Sequence, residues 1–197
     1  MSQTKRYILT KEYAREWIEK LGHVPEEIVN YFPKKVKKIL DAGGGYGRNA
    51  SVLKERGFEV IVLDLNKHLL EIARSKDLKT IRGDVRNIAF GDESFDGVLL
   101  CGVLHCLSDL GEMERCLSEC SRVLKNEGIL LGATFYEGSK SSYTYLSPHQ
   151  LRTLLRSTGF RCISLRKKIG KRIVLEFLAS KRLKIFKTVA NGFSNGR

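Results

Sequence analysis

From Val36 onward the chain alternates short apolar runs with amphipathic stretches, and this alternation limits its fold more than any other feature. "VKKILDA", "FEVIVLDL", "LKTIRGD", "FDGVLLCG" and "GILLGATF" have the length and β-branched content of strands. "GRNASVLKERG", "NKHLLEIARSK" and "LGEMERCLSECSRVL" repeat their apolar residues at helical spacing, with Asn66 predicted to cap the second. "VRNIAFGDES" has too little periodicity for either and connects the third strand to the fourth. Near-continuous apolar strands suit a parallel sheet covered on both faces, and strand–helix alternation joins them by right-handed crossovers. "SPHQLRTLLRSTGF" adds a helix that starts at Ser147 and Pro148 and stops at Gly159. The last two runs, "RCISLRK" and "RIVLEFLAS", are separated by only "KIGK", which forces a hairpin and an antiparallel final strand. The predicted class is α/β, a doubly wound, seven-stranded, mostly parallel sheet with an antiparallel C-terminal hairpin.

Residues 1–35 follow another pattern. "TKEYAREWIEKLG" sets Tyr13, Trp17 and Leu21 on one helical face, and Pro25 and Pro33 then interrupt the chain. The organisation expected is an N-terminal helical cap over 1–35, an α/β domain over 36–180 and a basic tail over 181–197. With 197 residues, 42% hydrophobic and 29% charged, the chain can bury a full core, and wholesale disorder is excluded. The N-terminus mixes charge into its apolar residues, unlike a signal peptide, and "GVLLCGVLHCL" is too short to span a bilayer. A soluble, cytoplasmic protein with no membrane span is expected. The five cysteines form no CxxC pair, which argues against a disulfide framework and a metal site; buried free thiols are the expectation, Cys116 and Cys120 one helical turn apart included.

Sheets of this kind bind ligands beyond the carboxyl ends of their strands. At the first of those ends stands Asp41-Ala-Gly-Gly-Gly-Tyr-Gly47. The pattern is Asp-x-Gly-x-Gly-x-Gly; the dinucleotide pattern G-x-G-x-x-G would need glycine at Arg48. Glycines let a ligand lie against the backbone, and the carboxylate favours a cationic group where a pyrophosphate would want none. Asp64 closes the second strand, where an acid often grips ribose hydroxyls. Asp84 closes the third, where a carboxylate can accept from an exocyclic amine such as that of adenine. Each acid alone also reads as a helix cap or surface carboxylate; three at successive strand ends point to a nucleoside ligand with a cationic centre.

With these residues in place the chain resembles the class I S-adenosylmethionine-dependent methyltransferases, in the branch called type 11. The resemblance rests on "ILDAGGGYGRNASVLKERGFEVIVLDLNKHLLEIAR", "GDVRNIAFGDESFDGVLLCGVLHCLSD" and "LSECSRVLKNEGILLGATF", and runs from about Val36 to Leu178. It implies a Rossmann-like sheet, S-adenosylmethionine as cofactor and S-adenosylhomocysteine as product. It further implies that Gly43, Gly45 and Gly47 form the loop under the methionine part and that Asp41 helps hold its ammonium. Asp64 would take the ribose, with Leu65 beside the adenine; Asp84 would meet the adenine amine and Val85 the ring edge. Cys101 occupies a position whose backbone commonly contacts the methionine. Two departures are visible: the common "LDLGCG" is "LDAGGG" here, and the common His-His after the fourth strand is His105-Cys106.

Methyl transfer from a sulfonium asks mainly for alignment and exclusion of water. His105, just past the fourth strand, is the candidate catalytic base or substrate hydrogen-bond partner, with a core or capping histidine as the alternative. Tyr136, Tyr143 and Tyr145 flank the end of the fifth strand, where a substrate pocket is expected; for Phe135 plain aromatic packing is preferred. Tyr13 and Trp17 either cover the site or pack against the sheet edge. The short segment "YEGSKSSYTYL" after the fifth strand suits a small-molecule substrate methylated at oxygen, nitrogen or carbon. Net charge is +13, and residues 138–197 hold fourteen Lys and Arg against Glu176 alone. That surplus, with Lys167, Lys168, Lys171 and Arg172 at the final hairpin, keeps an RNA (tRNA) methyltransferase as the alternative. A non-catalytic S-adenosylmethionine-binding partner protein is a further alternative, and a nicotinamide-dependent oxidoreductase fits the fold class but not the glycine register.

Overall fold

The structure, a computed structural model, describes residues 9–21, 27–137, 143–169 and 173–181. The basic tail beyond Lys181, the hairpin residues Lys171 and Arg172, and the side chains of Trp17, Leu21 and Lys168 lie outside the described residues. Helix α1 (Lys11–Leu21) and a 3-10 turn (Glu27–Tyr31) precede the alternating region. There follow β1 (Lys38–Ala42), α2 (Arg48–Glu55), β2 (Glu59–Asp64), α3 (Lys67–Ser75), β3 (Lys79–Arg82) and β4 (Phe95–Cys101). After a second 3-10 turn (Leu104–Cys106) come α4 (Leu110–Val123), β5 (Leu124–Glu137), α5 (Pro148–Ser157), β6 (Phe160–Ile169) and β7 (Ile173–Lys181).

The seven strands form one sheet in the order β3-β2-β1-β4-β5-β7-β6. β1, β2, β3, β4 and β5 run parallel, and β7 is antiparallel to both β5 and β6. The predicted hairpin is therefore present, but its second strand enters between β5 and β6. Two short apolar strands joined by a tight loop say nothing about which of them faces inward; β7 takes the inner place by burying Leu175, Phe177 and Ala179, while β6 keeps arginines exposed.

Strand pleating sends alternate residues to opposite faces. Leu40, Leu63, Val98 and Leu100 meet Met113, Cys116, Leu117 and Cys120 of α4 and Leu151 and Leu155 of α5. On the other face Ile39, Val62 and Leu99 meet Ala50 and Leu53 of α2, Leu70 and Ala73 of α3, and Val29. The sheet direction of the connections reverses between β1 and β4, so a crevice opens above their carboxyl ends.

Where β5 and β7 cross this core, Gly132 stands opposite Phe177. A Cβ at Gly132 would run into the Phe177 ring, which is itself 1% exposed. Gly132→Ala is expected to lower stability by about 1–3 kcal/mol through overpacking, read from the urea midpoint; an unchanged midpoint would show that the ring yields freely.

The N-terminal helix is tied down by a cap. The Asn66 side-chain oxygen accepts from the backbone amides of His68 (2.8 Å) and Leu69 (3.2 Å), starting α3, while its side-chain Nδ2 donates to the Thr10 carbonyl at 3.0 Å. Ala14, with Tyr13 and Ile18 beside it, packs on Tyr46 and Leu69. Thus α1 lies over the glycine turn and the start of α3, and of the two placements open in the sequence Tyr13 takes the one over the cavity.

Candidate functional site

Above the carboxyl ends of β1, β2, β4 and β5 the chain encloses a cavity of about 420 Å3. Its wall brings together Asp41, Gly43, Gly45, Asp64, Leu65, Asp84, Val85, Cys101 and His105. Gly47 stands behind this wall as the residue capping α2. Tyr136, Tyr143 and Tyr145 are not among the lining residues: Tyr136 packs on the core with the Lys167 ammonium 4.4 Å from its ring centre, and Tyr143 backs His105. The wall on that side is made by Thr134, Phe135 and Val174, while Leu9 and Tyr13 contribute from the N-terminal segment.

The turn after β1 is shaped by what presses on it. Gly43 has φ of 74° and Gly47 of 73°, a region L side chains rarely adopt. A Cβ at Gly43 would collide with Val103, and one at Gly44 with the Asp41 carboxylate. The turn is stitched to β2: the amides of Gly43 and Gly44 donate to the Leu63 carbonyl at 2.7 and 3.2 Å. Gly45 donates to Asp64 Oδ2 at 3.0 Å, and Asn66 to Asp64 Oδ1 at 2.8 Å. One carboxylate therefore holds both the glycine turn and the start of α3, a duty the sequence did not disclose.

Asp41 is 1% exposed. Burial, and next the negative charge of Asp64, push its carboxyl up to about 7, although Arg48 and the Ala50 amide pull the other way. Its Oδ2 has no hydrogen-bond partner among the described residues. An acid in that state is short of positive charge. Asp64 is also raised by burial, with the Asn66 and Gly45 amides limiting the rise.

Asp84 is treated differently. Burial opposes its ionisation, but the Arg86 guanidinium and backbone amide prevail and hold the carboxyl below its ordinary range. Arg86 Nε donates to both Asp84 oxygens, at 2.9 and 3.1 Å, and Nη1 donates to Glu112 Oε1 at 2.6 Å. Glu112 also accepts from the Ser108 amide at 3.0 Å. Arg86 and Glu112 line the cavity and were missed in the sequence; the only signal was a cation two residues after the strand-end acid. Arg86→Met strands a buried Glu112 and is expected to cost about 1–3 kcal/mol. It should also let the Asp84 carboxyl rise, which an NMR titration of its side-chain carbon reads directly; a titration midpoint equal to wild type would remove Arg86 from this role.

His105 is 1% exposed and sits in an aromatic box. Its ring stacks on Phe135 (centroids 4.0 Å apart, 26° between planes) and meets Tyr143 edge-on at 4.8 Å. The Phe135 amide points at Nδ1 from 3.5 Å, and Thr134 Oγ1 lies at the same distance. The ring is thus packed in the core, one of the two readings open in the sequence, and it also forms part of the cavity wall. Burial pushes the neighbouring Cys106 thiol up to about 12, so it stands as a neutral wall residue.

Residues 40–132 match the family described as "Methyltransferase domain". The chain is 39% identical over 99 residues to a demethylmenaquinone methyltransferase of Thermotoga maritima, a stretch covering 48% of this chain and 42% of that protein. The matched stretches span about half the length of the first curated relatives, 42% to 52%. Among solved structures, a SAM-dependent methyltransferase of Methanosarcina mazei superposes with a TM-score of 0.74 at 19% identity, covering 82% of this chain and 100% of that one. The 1,6-didemethyltoxoflavin-N1-methyltransferase of Burkholderia thailandensis, determined with bound 1,6-didemethyltoxoflavin and S-adenosylhomocysteine, superposes with a TM-score of 0.64 at 20% identity, covering 87% and 77%. Both likenesses speak to the fold. No helix among the described residues is long and apolar enough to cross a membrane.

Proposed function

We propose, from the match of residues 40–132 to a methyltransferase domain family, that the chain is a class I methyltransferase of the type 11 branch, that it binds S-adenosylmethionine and that it methylates a small molecule. The observation that carries this reading is Asp41: a buried carboxyl with an unpartnered oxygen, beneath a glycine turn with no room for a Cβ at Gly43 or Gly44. That arrangement fits a ligand bringing an ammonium group to a bare backbone. When bound, S-adenosylmethionine supplies a methyl group already activated on sulfur.

The chain's own residues then have separable duties. Asp41 holds the ammonium, Gly43 and Gly45 give the methionine part its backbone surface, and the wall at Cys101 borders it. Asp64 offers its carboxylate to the ribose while it keeps the turn in place. Asp84, kept ionised by Arg86, accepts from the adenine amine, with Leu65 and Val85 flanking the ring. His105 orients the acceptor, and α1 with Tyr13 keeps water from the reacting centre.

The test is thermal unfolding. At a hundredfold excess over Kd, S-adenosylhomocysteine should stabilise by about 2.7 kcal/mol, a rise of roughly 5–10 °C, with a comparable rise for S-adenosylmethionine and none for NAD. A rise with NAD alone would replace the reading with an oxidoreductase.

A second reading, RNA methylation, is supported by Arg152 and Arg156 on α5 and Arg161 and Arg166 on β6, all exposed. It predicts tRNA binding whose affinity falls steeply with salt.

A further inference from the structure

We infer that the acceptor end of the cavity takes a compact, flat, uncharged ring compound, aromatic or heteroaromatic, whose oxygen or nitrogen accepts a hydrogen bond from His105. The inference rests on the cofactor reading above and names the substrate class for the same site.

Charge in the cavity wall is sorted along the sheet. Asp41 lies at the end of β1 and Arg48 follows that strand, Asp64 ends β2, and Asp84 is bound to Arg86, which is bound in turn to Glu112. Every charged lining residue among those described belongs to this half. The half over β4, β5 and β7 is lined by Val103, His105, Leu107, Thr134, Phe135 and Val174. With the product's neutral sulfur in place, an ionised acceptor there would leave water without a counter-charge, which is strongly unfavourable. A neutral one loses little.

Shape follows from the stack. Phe135 is backed by the His105 ring at 4.0 Å, and that ring by Tyr143, so the aromatic wall is fixed from behind and favours a flat partner in front. Its register partner Val174 extends the apolar surface on β7. The cavity of about 420 Å3 lies toward the low end for small-molecule sites, roughly 300–1,000 Å3, and must hold the cofactor as well. The acceptor is therefore compact.

Polarity follows from a backbone amide. The Phe135 N–H can only donate, and it points at His105 Nδ1. In the neutral imidazole Nδ1 then carries the lone pair and Nε2 the hydrogen. His105, a residue of the cavity wall, accordingly carries its ring hydrogen on the buried Nε2, and an acceptor molecule seated against it must offer a lone pair.

An isosteric set tests this: 2-naphthol, 2-naphthoate and 2-naphthylmethylammonium, each titrated calorimetrically into the protein saturated with S-adenosylhomocysteine. The product is titrated first on its own. Failure at that stage brings down the cofactor reading and this inference with it. Given product binding, 2-naphthol should bind at least tenfold tighter than either ion. His105→Phe, which keeps a ring in the stack, should erase the preference for 2-naphthol over naphthalene while leaving product affinity unchanged. Equal or tighter binding of an ion, no binding of any of the three, or a preference that survives His105→Phe overturns the inference and leaves the cofactor reading standing.

Discussion

Asp41→Asn is expected to stabilise the free protein at pH 8 and to weaken its hold on S-adenosylhomocysteine. The two effects have one cause. The Asp41 carboxyl titrates near 7 in the folded chain because it is buried and faces Asp64, whereas an unfolded aspartate titrates near 3.8. Between those values the folded state holds a proton that the unfolded state has released. Stability from this group is therefore complete below about pH 4, declines through the window, and is gone above about pH 7. The shift corresponds to at most about 4 kcal/mol. Asparagine does not titrate, so the variant should hold steady across that window and exceed wild type at pH 8 by about 2–4 kcal/mol. A cationic ligand acts in the opposite sense: it draws the carboxyl down, so binding releases a proton and wild-type affinity rises from pH 5 to 7. The variant should lose that rise and bind about 10–100-fold more weakly at pH 8. Denaturant midpoints and calorimetric titrations across pH 5 to 8 check both halves. Parallel pH profiles for the two proteins would end the assignment.

Asp64→Ala is expected to lower S-adenosylhomocysteine affinity by about 100-fold or more. Two losses combine. The Gly45 and Asn66 amides forfeit their acceptor, which loosens the turn and costs about 2–3 kcal/mol of stability. The ribose forfeits its carboxylate as well. Removing the charge also takes away the second cause of the raised Asp41 carboxyl, so the pH dependence described above should shrink in this variant. Asp64→Asn separates the contributions, since its amide oxygen can still accept from one backbone amide. An affinity equal to wild type in Asp64→Ala, with the fold intact, would confine Asp64 to holding the turn.

Sequence pattern revealed the half of the site that follows strand ends. In a parallel sheet the carboxyl end of each apolar run is carried to the same rim, so Asp41, Asp64 and Asp84, each within two residues of a strand end, could be placed together without knowing a single contact. What stayed hidden depended on distance along the chain or on strand neighbourhood. Arg86 and Glu112 lie 26 residues apart and meet only because α4 packs beside the connection after β3. Val174 reaches the cavity because β7 lies next to β5, and nothing in a two-strand hairpin says which strand will be the inner one. The tyrosines mark a third limit. An aromatic at a strand end faces one side or the other by a single step of the pleat, and here Phe135 lines the cavity while Tyr136 packs on the core.

The inner position of β7 bears on how the molecule is assembled during translation. β5 has a bare edge until residues 173–181 emerge from the ribosome, because β6, made earlier, finds its place only on the far side of that late strand. Lys181 then fastens the start of β5 by donating to the Leu124 carbonyl. The half of the rim proposed for the nucleoside, built by β1 to β4, can thus be shaped by a nascent chain, whereas the half proposed for the methyl acceptor is completed only when synthesis has passed Lys181.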